Sequence, residues 1–168
     1  EANLVLSTED FAQAVKSVPL VSIDLLVQNK AGQYLIGERL NKPAQFSWFV
    51  PGGRILKDEL FDTAFGRLCT KELGLFIPLS AAQFYGVYQH FFQDAFVDDL
   101  VTTHYLVIAY QVLLAETIGT LPTQEHSNYR WCTRHEILDD PTVHDNVKAY
   151  FSQKSAVIFQ HNADPSPS

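Results

Sequence analysis

Residues 52–75 read GGRILKDELFDTAFGRLCTKELGL, and this stretch decides the fold. After the opening glycine pair, the spacing of the apolar residues predicts a helix from about Asp58 to Leu73. Asp58 is the expected N-cap, because a short carboxylate side chain can accept a hydrogen bond from an unpaired backbone N–H. Gly74 is the expected end, because glycine readily takes the left-handed conformation that commonly follows a helix.

One face of this predicted helix is apolar but also carries a carboxylate. Phe61, Phe65 and Leu68 recur at helical spacing, and Glu72 falls on the same face. A carboxylate buried there must be paired or bound to a metal, because an isolated buried charge is expensive. The alternative is that Glu72 lies at the frayed helix end and extends into water. The residue pattern alone leaves both interpretations open.

The segments on either side of this stretch predict a mixed α+β domain. Strands are predicted at 21–27, 33–37, 48–50, 84–92, 104–114 and 129–131, and further helices after Ser7, after Thr133 and over 144–154. This order predicts a mixed sheet with helices packed on it. Because no repeat or linker interrupts it, residues 1–168 are expected to form a single domain, with a flexible tail over about 159–168.

Charge and hydropathy limit the expected partners. The formal net charge is −7, and there is no basic stripe of the kind that nucleic-acid-binding proteins show. No apolar run approaches the roughly 20 residues of a membrane span, and no signal segment opens the chain, so a cytoplasmic protein is expected. Cys69 and Cys132 form no CxxC pair and are expected to be buried, reduced thiols.

The opening stretch resembles the Nudix box, the motif G-x5-E-x7-R-E-U-x-E-E-x-G-U in which U is aliphatic. The residues that fall at the required spacings are Gly53, Glu59, Arg67, Glu72, Gly74 and Leu75. Two glutamate positions differ, because Leu68 follows the arginine and Lys71 precedes Glu72. The resemblance implies the Nudix fold, a mixed β-sheet sandwiched between α-helices. It also implies that Arg67 orients carboxylates rather than touching substrate.

Further segments resemble one branch of this superfamily, the GDP-mannose mannosyl hydrolases, over nearly all of residues 7–155. The matching segments are 19–22, 41–45, 48–54, 83–87, 89–91, 102–105 and 129–131. That branch lacks the same two box glutamates, so Leu68 and Lys71 agree with the resemblance. It implies a GDP-sugar substrate, Mg²⁺ as the cofactor and a homodimer.

The resemblance also implies how Mg²⁺ is bound. The expected ligands are the Gly52 carbonyl, the Glu72 carboxylate and one residue of a late loop. Counting back from 129–131 makes Glu125 the third ligand, at a position where the family has glutamine. A carboxylate is the better Mg²⁺ ligand by charge, so the site is expected to survive this difference. Gln124 is the alternative if the loop register slips by one residue.

His126 is the expected general base, because an imidazole with an unperturbed pKa of about 6.5 suits proton transfer near neutral pH. In the resembling branch, water attacks the anomeric carbon with inversion and the nucleoside diphosphate leaves. Five further positions match the family. Arg39, Arg54 and Tyr105 match residues that stabilise the leaving diphosphate, and Asp24 and His90 match residues near the sugar. Arginine forks suit phosphate geometry. The alternatives are that Arg39 and Arg54 are ordinary surface arginines and that His90 is a core histidine whose hydrogen bonds are made within the protein.

Three functions follow as hypotheses. The first is Mg²⁺-dependent hydrolysis of GDP-mannose, or of GDP-glucose, at the anomeric carbon, which releases GDP and the free sugar. The second is a Nudix pyrophosphohydrolase that attacks phosphorus in a nucleotide or nucleotide sugar, and Leu68 and Lys71 count against it. The third is a non-catalytic nucleotide-binding module, against which Glu72, Glu125 and His126 count.

Overall fold

The computed structural model describes residues 5–95, 101–116, 118–119, 121–122, 126–152 and 157–160. The helices are α1 (Thr8–Ser17), α2 (Phe61–Leu73), α3 (Arg134–Asp139) and α4 (Asp145–Lys148), and a 3-10 turn covers Leu79–Ala81. The strands are β1 (Leu20–Gln28), β2 (Tyr34–Arg39), β3 (Trp48–Phe49), β4 (Gly52–Arg54), β5 (Gln83–Phe92), β6 (Thr103–Leu113), β7 (His126–Cys132) and β8 (Val157–Gln160). The predicted strands are confirmed, with small shifts at their ends.

Three helix ends lie where the sequence predicts them, because each is set by a capping residue next to the helix. Ser7 and Thr133 accept hydrogen bonds from the backbones of α1 and α3, and Gly74 ends α2 with a φ of 68°. The predicted N-cap Asp58 is wrong, because this residue has a φ of 63° in the preceding loop and α2 begins only at Phe61.

The last helix and the tail also differ from expectation. The predicted helix over 144–154 is reduced to the four residues of α4, and the chain then turns so that residues 149–151 pack into the core. Strand β8 pairs with β5 and takes in Phe159 and Gln160, which were assigned to the tail. Residues 161–168 lie outside the described part.

The strands form one mixed sheet in the order β3-β2-β1-β6-β5-β8, with β4 also paired to β1 and β7 to β2. Strands β1 and β6 run parallel, and the other pairs of named strands are antiparallel. Apolar residues of β1 alternate between the two faces, so each face buries its own core. Helix α2 packs on the face that holds Ile23 and Leu25, and α3 and α4 pack on the face that holds Leu26. The predicted sandwich of a mixed sheet between helices is confirmed.

The sheet opens between β1 and β2, and this opening positions the site. The two strands pair at Gln28 and Tyr34 and then separate. Strand β4 takes the place beside the other half of β1, while β2 continues toward β3 and β7. A cleft therefore forms in the middle of the sheet, where groups from both helical layers can meet.

Two smaller expectations are also settled for the described residues. Cys69 and Cys132 are both free and buried, as predicted. No helix in the described ranges is long and apolar enough to cross a membrane.

Candidate functional site

A cavity of about 180 Å³ occupies the opening between β1 and β2. It brings together every predicted site residue that the structure describes: Asp24, Arg39, Gly52, Arg54, Glu72, His90, Tyr105 and His126. The predicted third metal ligand, Glu125, and its alternative, Gln124, lie outside the described residues. Their role stays a prediction.

Strand register explains why four of these residues share one wall of the cavity. Asp24 lies opposite Gly52, and its neighbour Ser22 lies opposite Arg54. On the other side of β1, Tyr105 of β6 lies opposite His90 of β5. Because side chains alternate along a strand, these positions project from the same face of the sheet.

The opposite wall carries a buried carboxylate beside a buried imidazole. Glu72 near the end of α2 is 4% exposed and His126 at the start of β7 is 3% exposed. His126 Nε2 lies 3.7 Å from Glu72 Oε2, and His126 is paired across the strands with Arg39. The interpretation in which Glu72 extends into water is therefore wrong. Its position on the apolar face of α2 holds it inside the cavity.

Two oxygen groups of the cavity fit a hard divalent cation. The Leu25 N–H donates to the Pro51 carbonyl at 2.8 Å, and the Ile55 N–H donates to the Val21 carbonyl at 2.9 Å. In an antiparallel pair with this register, the backbone groups of Gly52 point away from β1. Its carbonyl and the Glu72 carboxylate are ligands of the kind that Mg²⁺ prefers, and Mg²⁺ keeps several waters besides.

Side chains alone would hold a metal poorly in the described part of the chain. There, no group of three or more His, Cys, Asp or Glu side chains is arranged around a common point. Among the described residues, a cation in this cavity would therefore depend on the Gly52 carbonyl and on the Glu72 carboxylate.

The two positions that depart from the box have different surroundings. Leu68 is buried in the core cluster beneath α2, where a carboxylate would be costly. Lys71 is exposed and lines the cavity mouth. The cavity therefore has a positively charged lysine side chain at a position where the box has a carboxylate. The sequence pattern marked Lys71 only as a departure and gave no sign that it lines the cavity.

Two further box residues, Glu59 and Arg67, stabilise the segment that runs from the end of β4 to α2. Arg67 donates to both Glu59 oxygens, from Nε at 2.6 Å and from Nη2 at 3.0 Å. The same Nη2 donates to the Arg54 carbonyl at 2.9 Å, and Glu59 accepts from the Leu56 N–H. The hydrogen bond from Arg67 is the main reason that the pKa of Glu59 is lowered. Arg67 therefore orients a carboxylate, as predicted.

The two predicted phosphate-binding arginines are held by neighbours at the cavity wall. Arg39 Nε donates to the Pro43 carbonyl at 2.9 Å. The Arg54 guanidinium lies 4.6 Å from the ring centre of Phe11 in α1. Burial raises the pKa of Tyr105, and the charges of Arg39 and Arg54 partly oppose that rise. All three side chains line the same cavity.

Tyr150, a buried residue that contacts the two lining residues Asp24 and His90, was missed by sequence reasoning. Its hydroxyl donates to Asp24 Oδ2 and lies 3.4 Å from His90 Nε2. Burial raises the pKa of Asp24 to about 6, against the hydrogen bond from Tyr150 and the charge of Arg39. Burial also lowers the pKa of His90 to about 4, so His90 is neutral at physiological pH. In the sequence, Tyr150 looked like one more apolar residue of a terminal helix.

Comparisons with known proteins agree with this architecture. The family model described as the NUDIX domain matches residues 18–153. The low-salt glycan biosynthesis protein Agl8 of Haloferax volcanii is 34% identical over 122 residues, which cover 73% of this chain and 76% of that protein.

Two solved structures share the fold at low sequence identity. The MutT protein from Methanosarcina mazei Go1 has a TM-score of 0.64 at 19% identity, covering 80% of this chain and 92% of its own. The NUDIX domain of Shewanella oneidensis NrtR, solved with ADP ribose, has a TM-score of 0.61 at 18% identity. The match covers 87% of this chain and 95% of that one. Because the family match spans most of the chain and the box residues Gly53 and Glu72 line the cavity, the chain belongs to the Nudix hydrolase superfamily.

Proposed function

We propose that this protein hydrolyses GDP-mannose, or GDP-glucose, at the anomeric carbon in the presence of Mg²⁺. The observation that carries the proposal is the pair of buried groups at the cavity wall, with His126 Nε2 3.7 Å from Glu72 Oε2. A carboxylate by itself would be a metal ligand. An imidazole beside it adds a group that can take a proton from water. Leu68 and Lys71 also leave the box without the further carboxylates expected of phosphorus attack.

The geometry of His126 favours one of its ring nitrogens as the base. A Cβ built on Gly37 would lie 2.7 Å from His126 Nδ1, so Nδ1 is packed against the backbone of β2. Nε2 is the nitrogen directed toward Glu72 and the cavity. In the proposed step, Nε2 accepts a proton from water as the water oxygen bonds to the anomeric carbon. The bond from that carbon to the diphosphate oxygen breaks with inversion.

The other cavity residues have separate tasks in this proposal. Asp24 and His90 would bind sugar hydroxyls, since both combine hydrogen-bonding atoms with a fixed position in the wall. Arg39, Arg54 and Tyr105 would stabilise the charge that develops on the departing diphosphate. Mg²⁺, when bound by Gly52, Glu72 and Glu125, would neutralise part of that charge.

The comparisons support a sugar-nucleotide substrate at a general level. The Haloferax volcanii relative is named as a glycan biosynthesis protein. The Shewanella oneidensis domain was solved with ADP ribose, a nucleoside diphosphate linked to a sugar. Both names concern other proteins, and for this chain they favour the substrate class that the cavity residues indicate.

Hydrolysis in ¹⁸O-labelled water tests which bond is broken. We expect Mg²⁺-dependent release of GDP from GDP-mannose, with ¹⁸O in the free sugar and none in GDP, measured by mass spectrometry. Proton NMR of the sugar at early times should show the inverted anomer. Label in a phosphate product would instead establish the pyrophosphohydrolase. GDP-sugar binding without turnover would establish the non-catalytic module.

Replacing Gly37 with alanine should lower kcat for GDP-mannose by about 10- to 100-fold, because a shift of about 1 Å in a reacting group is that costly. The new Cβ would overlap the His126 ring at 2.7 Å, and the buried ring has little room to move. Gly119→Ala is the matched control, because no atom of the described residues lies within 4 Å of a Cβ built there. Steady-state kinetics of folded Gly37→Ala at the wild-type rate would exclude this packing role.

Two further proposals concern the assembly and the location of the protein, and only the first rests on the family resemblance. We propose that the protein is a homodimer and that it acts in the cytoplasm. The first is tested by sedimentation velocity, in which a dimer has twice the 19.0 kDa mass of the chain. A monomeric mass at micromolar concentration would contradict it.

A further inference from the structure

We propose that Tyr150 is a positioning residue that joins the Asp24 carboxylate and the His90 ring into one hydrogen-bonded unit at the sugar end of the cavity. The unit is visible in two contacts, from the Tyr150 hydroxyl to Asp24 Oδ2 and between that hydroxyl and His90 Nε2 at 3.4 Å. The inference rests on the proposed function, because it takes Asp24 and His90 to be the residues that meet the sugar.

The number of protons available sets the direction of these hydrogen bonds. A tyrosine hydroxyl has one proton, and Tyr150 donates it to Asp24. The hydroxyl oxygen can then only accept from His90, so Nε2 must carry the proton of the neutral ring. His90 Nδ1 is left as an acceptor. Tyr150 therefore selects the histidine tautomer as well as its orientation.

Asp24 has a close neighbour at each of its carboxylate oxygens. Tyr150 binds Oδ2, and Oδ1 lies so close to Gly52 that a Cβ built on the glycine would collide with it. The carboxylate is thus confined between a hydroxyl and the backbone of β4. A group fixed in this way loses less conformational entropy when a ligand binds than a free side chain does.

Tyr150 is itself firmly anchored. Its side chain is 1% exposed, and its ring meets Tyr88 edge to face with the centroids 4.5 Å apart. The Tyr85 hydroxyl donates to the Tyr150 carbonyl at 2.5 Å. Arg134 Nε donates to the next carbonyl, that of Phe151, at 2.9 Å. The segment after α4 is therefore held by β5 at Tyr150 and by α3 at Phe151, and the Tyr150 hydroxyl meets Asp24 and His90 of the cavity wall.

The test is Tyr150→Phe, which removes the hydroxyl and keeps the ring packing. We expect kcat/KM for GDP-mannose to fall by about 10- to 100-fold, the range for losing a hydrogen bond to a charged group. The affinity for GDP should change less than about twofold, because the nucleotide does not meet this unit. Tyr88→Phe is the matched control, since its buried hydroxyl has no hydrogen-bond partner among the described residues, and it should keep wild-type kinetics.

A double-mutant cycle separates positioning from a general loss of stability. In an Asp24→Asn background, Tyr150→Phe should have a much smaller effect on kcat/KM, because the charged partner is already gone. Thermal unfolding of each variant verifies that it is folded. Equal effects of Tyr150→Phe in both backgrounds would overturn the proposal, as would an equal loss of GDP affinity.

A readout that needs no substrate distinguishes this inference from the proposed function. Nitrogen-15 NMR of the His90 ring in the wild type should show the Nε2-protonated tautomer, and Tyr150→Phe should shift the tautomer population or broaden the signals. Tyr88→Phe should leave the ring signals unchanged. If GDP-mannose is not hydrolysed but the ring signals respond as expected, the proposed function fails and the positioning role stands. Identical ring signals in wild type and Tyr150→Phe would overturn the positioning role.

Discussion

Replacing His126 with glutamine should lower kcat for GDP-mannose by about 10²–10⁴-fold, the usual contribution of a general base. Glutamine is of similar size and can hydrogen-bond, but it cannot accept a proton from water at neutral pH. The affinity for GDP and the stabilisation by Mg²⁺ should change little, because His126 is not among the expected metal ligands. Steady-state kinetics and calorimetric titration with GDP measure both quantities.

The control for this substitution is His135→Gln. His135 lies in α3, where its side chain is 87% exposed and pairs with Asp139. We expect wild-type kinetics from it, which rules out a general effect of removing a histidine. If His126→Gln retained full kcat with metal bound, the role of His126 as the base would have to be abandoned.

Replacing Glu72 with glutamine should lower Mg²⁺-dependent turnover by about 10³-fold, because a bound metal supplies several kcal/mol of charge stabilisation in the transition state. It should also abolish the rise in Tm that Mg²⁺ gives the wild type, since a cation that binds only the folded state stabilises it. Scanning calorimetry with and without Mg²⁺ measures the second effect without any substrate.

The stability of the metal-free variant distinguishes a metal ligand from a structural carboxylate. Glu72 is buried near His126, and a neutral amide is cheaper to bury than a charge. Metal-free Glu72→Gln should therefore be at least as stable as the metal-free wild type. Glu9→Gln, on the exposed side of α1, is the control and should keep the full Mg²⁺ response. A Mg²⁺ response that survives in Glu72→Gln would refute the ligand role.

Features that depend on neighbouring residues were predictable from the sequence. Ser7, Thr133 and Gly74 were assigned correctly because a capping residue acts on the backbone of its own helix. Helical periodicity also placed Glu72 on the same face as Leu68. Periodicity could not decide between a buried and a solvated end of the helix, because that depends on what covers the helix end.

Two local predictions failed because distant contacts override local preference. Asp58 is a good N-cap by type, but the pairing of Glu59 with Arg67 shapes the loop before α2 and excludes Asp58 from the helix. The expected long final helix is cut short because Tyr150 and Phe151 are buried against the sheet. The burial of Tyr150 and Phe151 cannot be read from the residues on either side.

By itself the sequence determined the superfamily, the order of the strands and helices, and most of the polar residues that line the cavity. Only the tertiary structure decided how those residues meet. The register of β1 with β4 brings Asp24 beside Gly52, and the separation of β1 from β2 opens the cavity between them. Tyr150 enters the site from 126 residues further along the chain. Strand pairing and core packing set such long-range contacts, and no local pattern records them.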